Sequence, residues 1–168
     1  RVEDPRMLTG QARFIDDISL PRMLHIAFCR SDQAHAKLLA VDTAAAAAMP
    51  GVVAIFTGAD LLDTFNPIRA TSRMADYHAT ELPVLAHDKV RFVGEAVAAV
   101  VAENRYLAED AAECIAVDYE PLGDAIDVLA NAAAGSPLLH DDAGTNILVS
   151  RTFHRGDVDA AMAHAAIR

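Results

Sequence analysis

Large aromatic residues are scarce in this sequence. There is no tryptophan, and aromatic residues make up 5% of the 168 positions. Hydrophobic residues reach 53%, but many of them are alanines. We therefore expect one ordinary domain whose core is built from Val, Ile, Leu and Ala.

Cysteines and long hydrophobic runs are also few. Cys29 and Cys114 lie far apart, without the paired spacing of a zinc or iron–sulfur site, and both are predicted to be reduced core residues. No apolar run approaches the ~20 residues needed to cross a bilayer. The amino end is charged and lacks the pattern of a secretory signal. These features predict a cytoplasmic protein that does not enter a membrane.

A basic surface is lacking as well, because the net charge is −10 with histidines neutral. Binding to a nucleic-acid backbone requires a basic patch. The composition therefore argues against nucleic acid as a partner. The net negative charge favours a soluble protein with weak self-association.

The hydrophobic pattern predicts an α+β fold, with a mixed sheet of short strands and two or three helices on one side. Strands are predicted at 24–30, 37–41, 52–56, 89–93, 95–102, 116–122 and 147–153. Helices are predicted at 44–49, 59–65, 105–115, 124–131 and 157–165. The short loop between the first two strands would permit them to pair antiparallel.

Caps and breaks support this assignment. Asn104 and Asp157 are predicted helix caps, and Gly94 is predicted to be a bend or a close backbone approach. In the helix after Asn104, the expected buried stripe is Leu107, Ala111 and Ile115. In the helix after Asp157, the expected inward residues are Val158, Ala161, Met162 and Ala165.

Two long segments have no regular period. Residues 66–81 are predicted to form a long loop that orders against a partner. Residues 136–146 are rich in turn-forming residues and are interpreted as a linker. The predicted domains are therefore 1–135 as the folded unit and 136–168 as linker, strand and the start of a connection to a further domain. Because the sequence begins with Arg1 and not Met, we expect a segment of a longer chain.

The histidines do not form a recognisable site. None supplies two ligands one helical turn apart with a third nearby; they are His25, His35, His78, His87, His140, His154 and His164. His140, Asp141 and Asp142 could form an acid–base or cation site, but a solvated turn is favoured.

Two further groups carry residue types used in catalysis. Ser31, Asp32 and His35 are the three types of a hydrolytic triad, but a triad is assembled in space and this clustering is interpreted as chance. Glu95 could be a general base if buried, although a structural role at the bend is favoured. We predict no catalytic, cofactor-binding or metal-binding residue in the chain.

Three stretches together resemble one family. Residues 1–61, which begin with the sequence RVEDPRMLTG, resemble the amino end of molybdenum hydroxylase large subunits. This family includes xanthine dehydrogenases and aldehyde oxidases. Residues 82–122 resemble its α/β hammerhead domain, and 155–165 resemble the segment leading out of it. The opening is most similar to the aerobic carbon monoxide dehydrogenase type. Arg22 departs from the pattern, because relatives often have glycine there.

The resemblance implies a function for a larger assembly. The family's large subunit carries a molybdenum–pterin cofactor, while FAD and 2Fe-2S clusters lie on partner subunits or domains. The family's catalytic residues follow the hammerhead, so none is carried over to this chain. The implied partners are the molybdenum-binding domain and the FAD and iron–sulfur subunits.

Three hypotheses follow. The first is a hammerhead domain with a structural role in an oxidoreductase, inactive alone and capable of self-association. The second is a stand-alone binding or interaction module with the same fold. The third is a hydrolase or metal enzyme with an unrecognised site.

Overall fold

A computed structural model describes residues 2–123 and 126–166. Its strands are β1 His25–Arg30, β2 Ala36–Asp42, β3 Val52–Thr57, β4 Ile68–Arg69, β5 Glu81–Leu82, β6 Lys89–Val90, β7 Ala96–Ala102 and β8 Ala116–Pro121. Its helices are α1 Asp4–Leu8, α2 Ala44–Ala47, α3 Gly58–Leu61, α4 Arg105–Glu113, α5 Val128–Asn131 and α6 Val158–Ala163.

The strands form three small sheets, in the orders β1-β7-β3, β6-β2-β8 and β4-β5. The predicted α+β class is confirmed. Every described strand pair is antiparallel, however, so the expected single mixed sheet is replaced by three antiparallel ones.

The central sheet is built around β7. Its run of small apolar residues is buried from Val97 to Val100, as predicted for a strand covered on both faces. The helices α4 and α2 lie on one face of this sheet. The core they close consists of Ala46, Ala98, Val100, Ala111, Ala112 and Ile115. Alanines at these contacts let the helices approach the strands closely, which is why so few large residues suffice.

The cap predicted for α4 is confirmed. The Asn104 side-chain oxygen accepts a hydrogen bond from the backbone N–H of Leu107 at 3.0 Å. Ala111 and Ile115 are buried as expected, whereas Leu107 is half-buried. Ala108 and Ala112 complete the stripe.

β1 does not pair with β2, although the short loop between them would permit it. β1 pairs with β7, and β2 pairs with β8 and β6 in the second sheet. The chain crosses between the sheets after β1, where the N–H of Ser31 donates to the Glu95 carbonyl at 2.9 Å. The long-range partner β7 is buried on both faces and takes a neighbour on each edge, so it displaces the local hairpin.

The strand predicted over 89–93 is also shorter than expected. Only Lys89–Val90 pair with β2, and Phe92 and Val93 are exposed. The chain turns there through Gly94, whose φ of +94° confirms the predicted bend. A close backbone approach is not the reason for this glycine, because a Cβ at this position would meet nothing within 4 Å. Arg22 also has a positive φ, of 62°.

The carboxyl-terminal predictions hold in part. Residues 147–153 are not a strand, although the Leu148 carbonyl accepts a hydrogen bond from the His78 N–H at 2.9 Å. The helix α6 exists, and Asp157 caps it by accepting from the Ala160 N–H at 2.9 Å. The residues predicted to face inward are not buried: Val158, Ala161 and Met162 are exposed and Ala165 is half-buried.

The loop at 66–81 is closed at its base. β4 pairs with β5, and the N–H of Ala70 donates to the Thr80 carbonyl at 3.1 Å. Between these pairs the chain is irregular, as predicted. The helix expected at 124–131 is shorter, Val128–Asn131, and residues 124 and 125 lie outside the described part.

Two smaller predictions are resolved. Both cysteines are free, but Cys114 is exposed and Cys29 half-buried, so neither is a fully buried core residue. Among the described residues, no helix is long and apolar enough to cross a membrane.

Candidate functional site

Buried charged side chains gather where β6, the turn at 91–95 and the segment 136–146 meet. Lys89 and Glu95 are only 7% and 3% exposed. Together with Arg91, Asp88 and Asp141 they form what we term the charge cluster. An unpaired charge is costly to bury, so the contacts of each member show what the cluster does.

Lys89 fastens the segment 136–146 to the folded unit. Its ammonium group donates to Asp141 Oδ2 at 2.7 Å and to the Leu138 carbonyl at 3.2 Å. Asp141 itself is largely exposed. The predicted linker is thus attached to strand β6, and the boundary at 135/136 stays a prediction.

Arg91 and Glu95 hold the turn around Gly94. The Glu95 carboxylate accepts the backbone N–H of Arg91, and Arg91 Nη1 lies 3.3 Å from Glu95 Oε1. Arg91 also donates to the Lys89 carbonyl at 3.0 Å and approaches Asp88 Oδ1 at 3.4 Å. Burial raises the pKa of Glu95, while Arg91 opposes that rise. Since both carboxylate oxygens have donors within the turn, the geometry favours the structural role over a general base.

Ser31, Asp32 and His35 do not form a triad. The Ser31 hydroxyl bonds within its own turn, accepting from the Gln33 N–H at 3.0 Å and donating to the Gln33 carbonyl at 3.1 Å. His35 Nδ1 lies 3.0 Å from the Gly123 carbonyl. A carbonyl can only accept, so Nδ1 carries the proton. His35 therefore fixes the exit of β8.

The His140, Asp141 and Asp142 group is a single 3₁₀ turn over Asp141–Ala143. Gly144 ends it with a φ of +66°. Burial, together with the nearby cations Arg91 and Lys89, lowers the pKa of His140. Within residues 2–123 and 126–166, no three His, Cys, Asp or Glu side chains gather closely enough to hold a metal ion.

Two adjoining cavities open beside α3. The first, the polar cleft, has a volume of about 260 Å³ and includes Glu81, His87, Asp88, Arg91 and Asp142 in its lining. The second, the aromatic groove, measures about 640 Å³ and is lined by Phe28, Ile55, Phe56, Asp60, Leu61, Thr64, Phe65, Val84, Leu85 and Ala99. Sequence reasoning missed this groove, because its residues come from four distant parts of the chain.

These cavities do not suit the family's molybdenum–pterin cofactor. A phosphate-bearing pterin needs cationic or N–H donors. In the polar cleft, Arg91 is already engaged by Glu95, and three carboxylates share the lining. The aromatic groove offers one carboxylate and one hydroxyl among apolar side chains.

The comparisons define the class of protein. Residues 9–123 match the family profile described as aldehyde oxidase and xanthine dehydrogenase, a/b hammerhead domain. The chain therefore belongs to this family, and the resemblance drawn from the sequence is confirmed.

Individual relatives are large subunits or chains. The sequence is 38% identical over 165 residues to the nicotine 6-hydroxylase large subunit of Paenarthrobacter nicotinovorans, covering 98% of this chain and 20% of the relative. It is 43% identical over 142 residues to the carbon monoxide dehydrogenase large chain of Afipia carboxidovorans, covering 84% of this chain and 17% of the relative. The fold matches that of quinoline 2-oxidoreductase from Pseudomonas putida 86, with a TM-score of 0.87 and 40% sequence identity. The match covers 99% of this chain and 21% of that one. The chain thus spans about a fifth of these proteins.

Proposed function

We propose that this chain is the hammerhead unit of a molybdopterin-binding large subunit, in an oxidoreductase of the carbon monoxide dehydrogenase or xanthine dehydrogenase type. Its role there is structural, and the unit is inactive alone. Relatives that match nearly the whole chain support this, since their names describe them as the large subunit of a nicotine hydroxylase and the large molybdopterin subunit of a nicotinate dehydrogenase.

The observation that carries the structural role is the engagement of the charge cluster. Lys89, Arg91 and Glu95 are the charged groups that a reaction in this part of the chain would use. Each bonds to a backbone group or to a neighbouring charge that holds a turn in place. These three side chains already make hydrogen bonds and ion pairs that hold the fold together.

The proposal extends to cofactors and partners. The molybdenum–pterin group would be held by the part of the large subunit outside this segment, and FAD and 2Fe-2S clusters by partner subunits or domains. When bound, the molybdenum centre supplies the oxygen-transfer and electron-transfer chemistry, and this chain's residues support the surrounding fold. A cytoplasmic location remains a prediction.

The test compares the complete gene product with the 168-residue chain. Elemental analysis and an absorption spectrum should find molybdenum and pterin with the complete product. The same measurements should find neither metal nor flavin with the isolated chain. Stoichiometric molybdenum, iron or flavin on the isolated chain would contradict the proposal. A complete product no longer than this segment would favour the stand-alone module.

A further inference from the structure

The two faces of the β1-β7-β3 sheet are covered differently. The helices α4 and α2 cover one face, and the aromatic groove lies on the other. Its aromatic rings come from β1, β3 and the turn that follows α3: Phe28 is 45% exposed, Phe56 40% and Phe65 56%. Half-exposed rings gathered around one cavity form a contiguous apolar surface, which on a soluble protein marks an interaction site.

The lining of the groove indicates a permanent contact. Eight of its ten lining residues are apolar, and Asp60 is the one charged group among them. Asp60 is itself occupied, because it accepts from the Thr57 N–H and hydroxyl, both at 2.7 Å. Transient interfaces are about as polar as ordinary surface, whereas obligate ones resemble a domain core cut in half. An occupant that is always present fits this composition.

The groove continues into the polar cleft, with Leu61, Phe65, Val84 and Leu85 lining both. The cleft end of this surface is polar, with Glu81, Asp88 and Arg91 in its lining. An occupant that follows the groove into the cleft would therefore place apolar side chains over Phe28 and Phe56 and polar groups at the cleft. An ordinary polypeptide segment supplies both.

We infer that the aromatic groove docks a segment of the same large-subunit polypeptide, from the part outside this chain. This inference rests on the proposed function. The relatives matched over 98% of this chain have about four-fifths of their own length outside the matched segment, so under the proposed function a tethered partner is always available. Tethering raises the effective concentration of that partner, so a modest apolar groove is enough to hold it.

Photo-crosslinking in the intact protein tests this inference. The complete gene product would carry Phe56→p-benzoylphenylalanine, or Phe28→p-benzoylphenylalanine as a second site in case the first variant fails to fold. Irradiation followed by peptide mass mapping identifies the neighbour. Tyr106→p-benzoylphenylalanine is the matched control, because Tyr106 is an exposed aromatic residue on α4, away from the groove.

The expected result is an adduct, within one polypeptide, between position 56 or 28 and a residue outside this segment, with no such adduct from position 106. An adduct that joins two copies or reaches a separate subunit would overturn the inference. So would no adduct from either groove position, or the same adduct from position 106. If the intact product ends with this segment, the proposed function fails as well, and its intact mass shows this before irradiation.

Discussion

The α4-covered side of the central sheet and the charge cluster hold the same domain together by different means. The first is a set of small apolar residues, with Ala98, Val100 and Ala111 fully buried. The second consists of turns fixed by Lys89, Arg91 and their partners. Apolar packing is neither screened by salt nor tied to a protonation state, whereas charged contacts depend on both ionic strength and pH. The body and the turns should therefore respond differently to the same perturbations.

The largest effect is expected in the apolar body. Val100→Asp would place an unpaired carboxylate under α4, and we expect a loss of ~3–5 kcal/mol in the free energy of unfolding, or failure to fold. Val53→Asp is the control, because Val53 lies on neighbouring β3 but is exposed. Urea denaturation followed by circular dichroism measures both. Similar losses for the two variants would show that the core is misplaced.

The turn at Gly94 is the next test. Its φ of +94° is rarely adopted by other residues, and open space surrounds it, so the cost of a side chain is conformational. Gly94→Val should lose ~1–3 kcal/mol of stability. Gly94→Asn should lose less, because asparagine enters positive φ more readily. An unchanged urea midpoint for Gly94→Val would contradict the interpretation that the positive φ at this turn requires glycine.

The Lys89–Asp141 pair allows a double-mutant cycle. Asp141→Ala leaves a buried ammonium group with one remaining acceptor, and we expect a loss of ~1–2 kcal/mol, discounted because Asp141 is exposed. Adding Lys89→Met should recover part of the loss, since the buried charge is then gone. High salt should reduce the difference in the free energy of unfolding between wild type and Asp141→Ala, because salt screens the ion pair. If the two losses simply add, the pair is not coupled and the cluster does not fasten 136–146.

The smallest expected effect concerns Glu95, and it is measured as the pH dependence of stability. Burial raises its folded-state pKa above the ordinary value of 4.5, so the folded state holds this proton more tightly than the unfolded chain does. Its contribution to stability is therefore fully present below pH 4.5 and is lost as the pH rises through the folded pKa. Glu95→Gln removes that contribution, so the urea midpoint should fall less with rising pH than in wild type.

Glu113→Gln is the control for that measurement, because Glu113 is an exposed glutamate on α4. It should keep the wild-type pH profile. Identical profiles for wild type and Glu95→Gln would show that the interactions with Arg91 cancel the effect of burial.

Features that depend only on neighbouring residues could be predicted from the sequence alone. The β7 strand follows from an unbroken run of small apolar side chains, and the start of α4 follows from Asn104 ahead of a periodic stripe. The bend at Gly94 follows from glycine at a strand junction. In each case the physical cause lies within a few positions along the chain, where propensity, capping and backbone freedom act.

Features that join distant residues could not be predicted, because they depend on the folded chain as a whole. The choice of β7 over β2 as the partner of β1 depends on which pairing buries more surface, and local pattern does not contain that information. The same holds for Lys89 meeting Asp141 and for the rings of Phe28, Phe56 and Phe65 meeting at one groove. The strand predicted over 89–93 stops at Val90 because Glu95 captures the N–H of Arg91 and the chain turns. Such contacts arise only when the whole chain is folded, because burial and charge pairing are properties of the assembled structure.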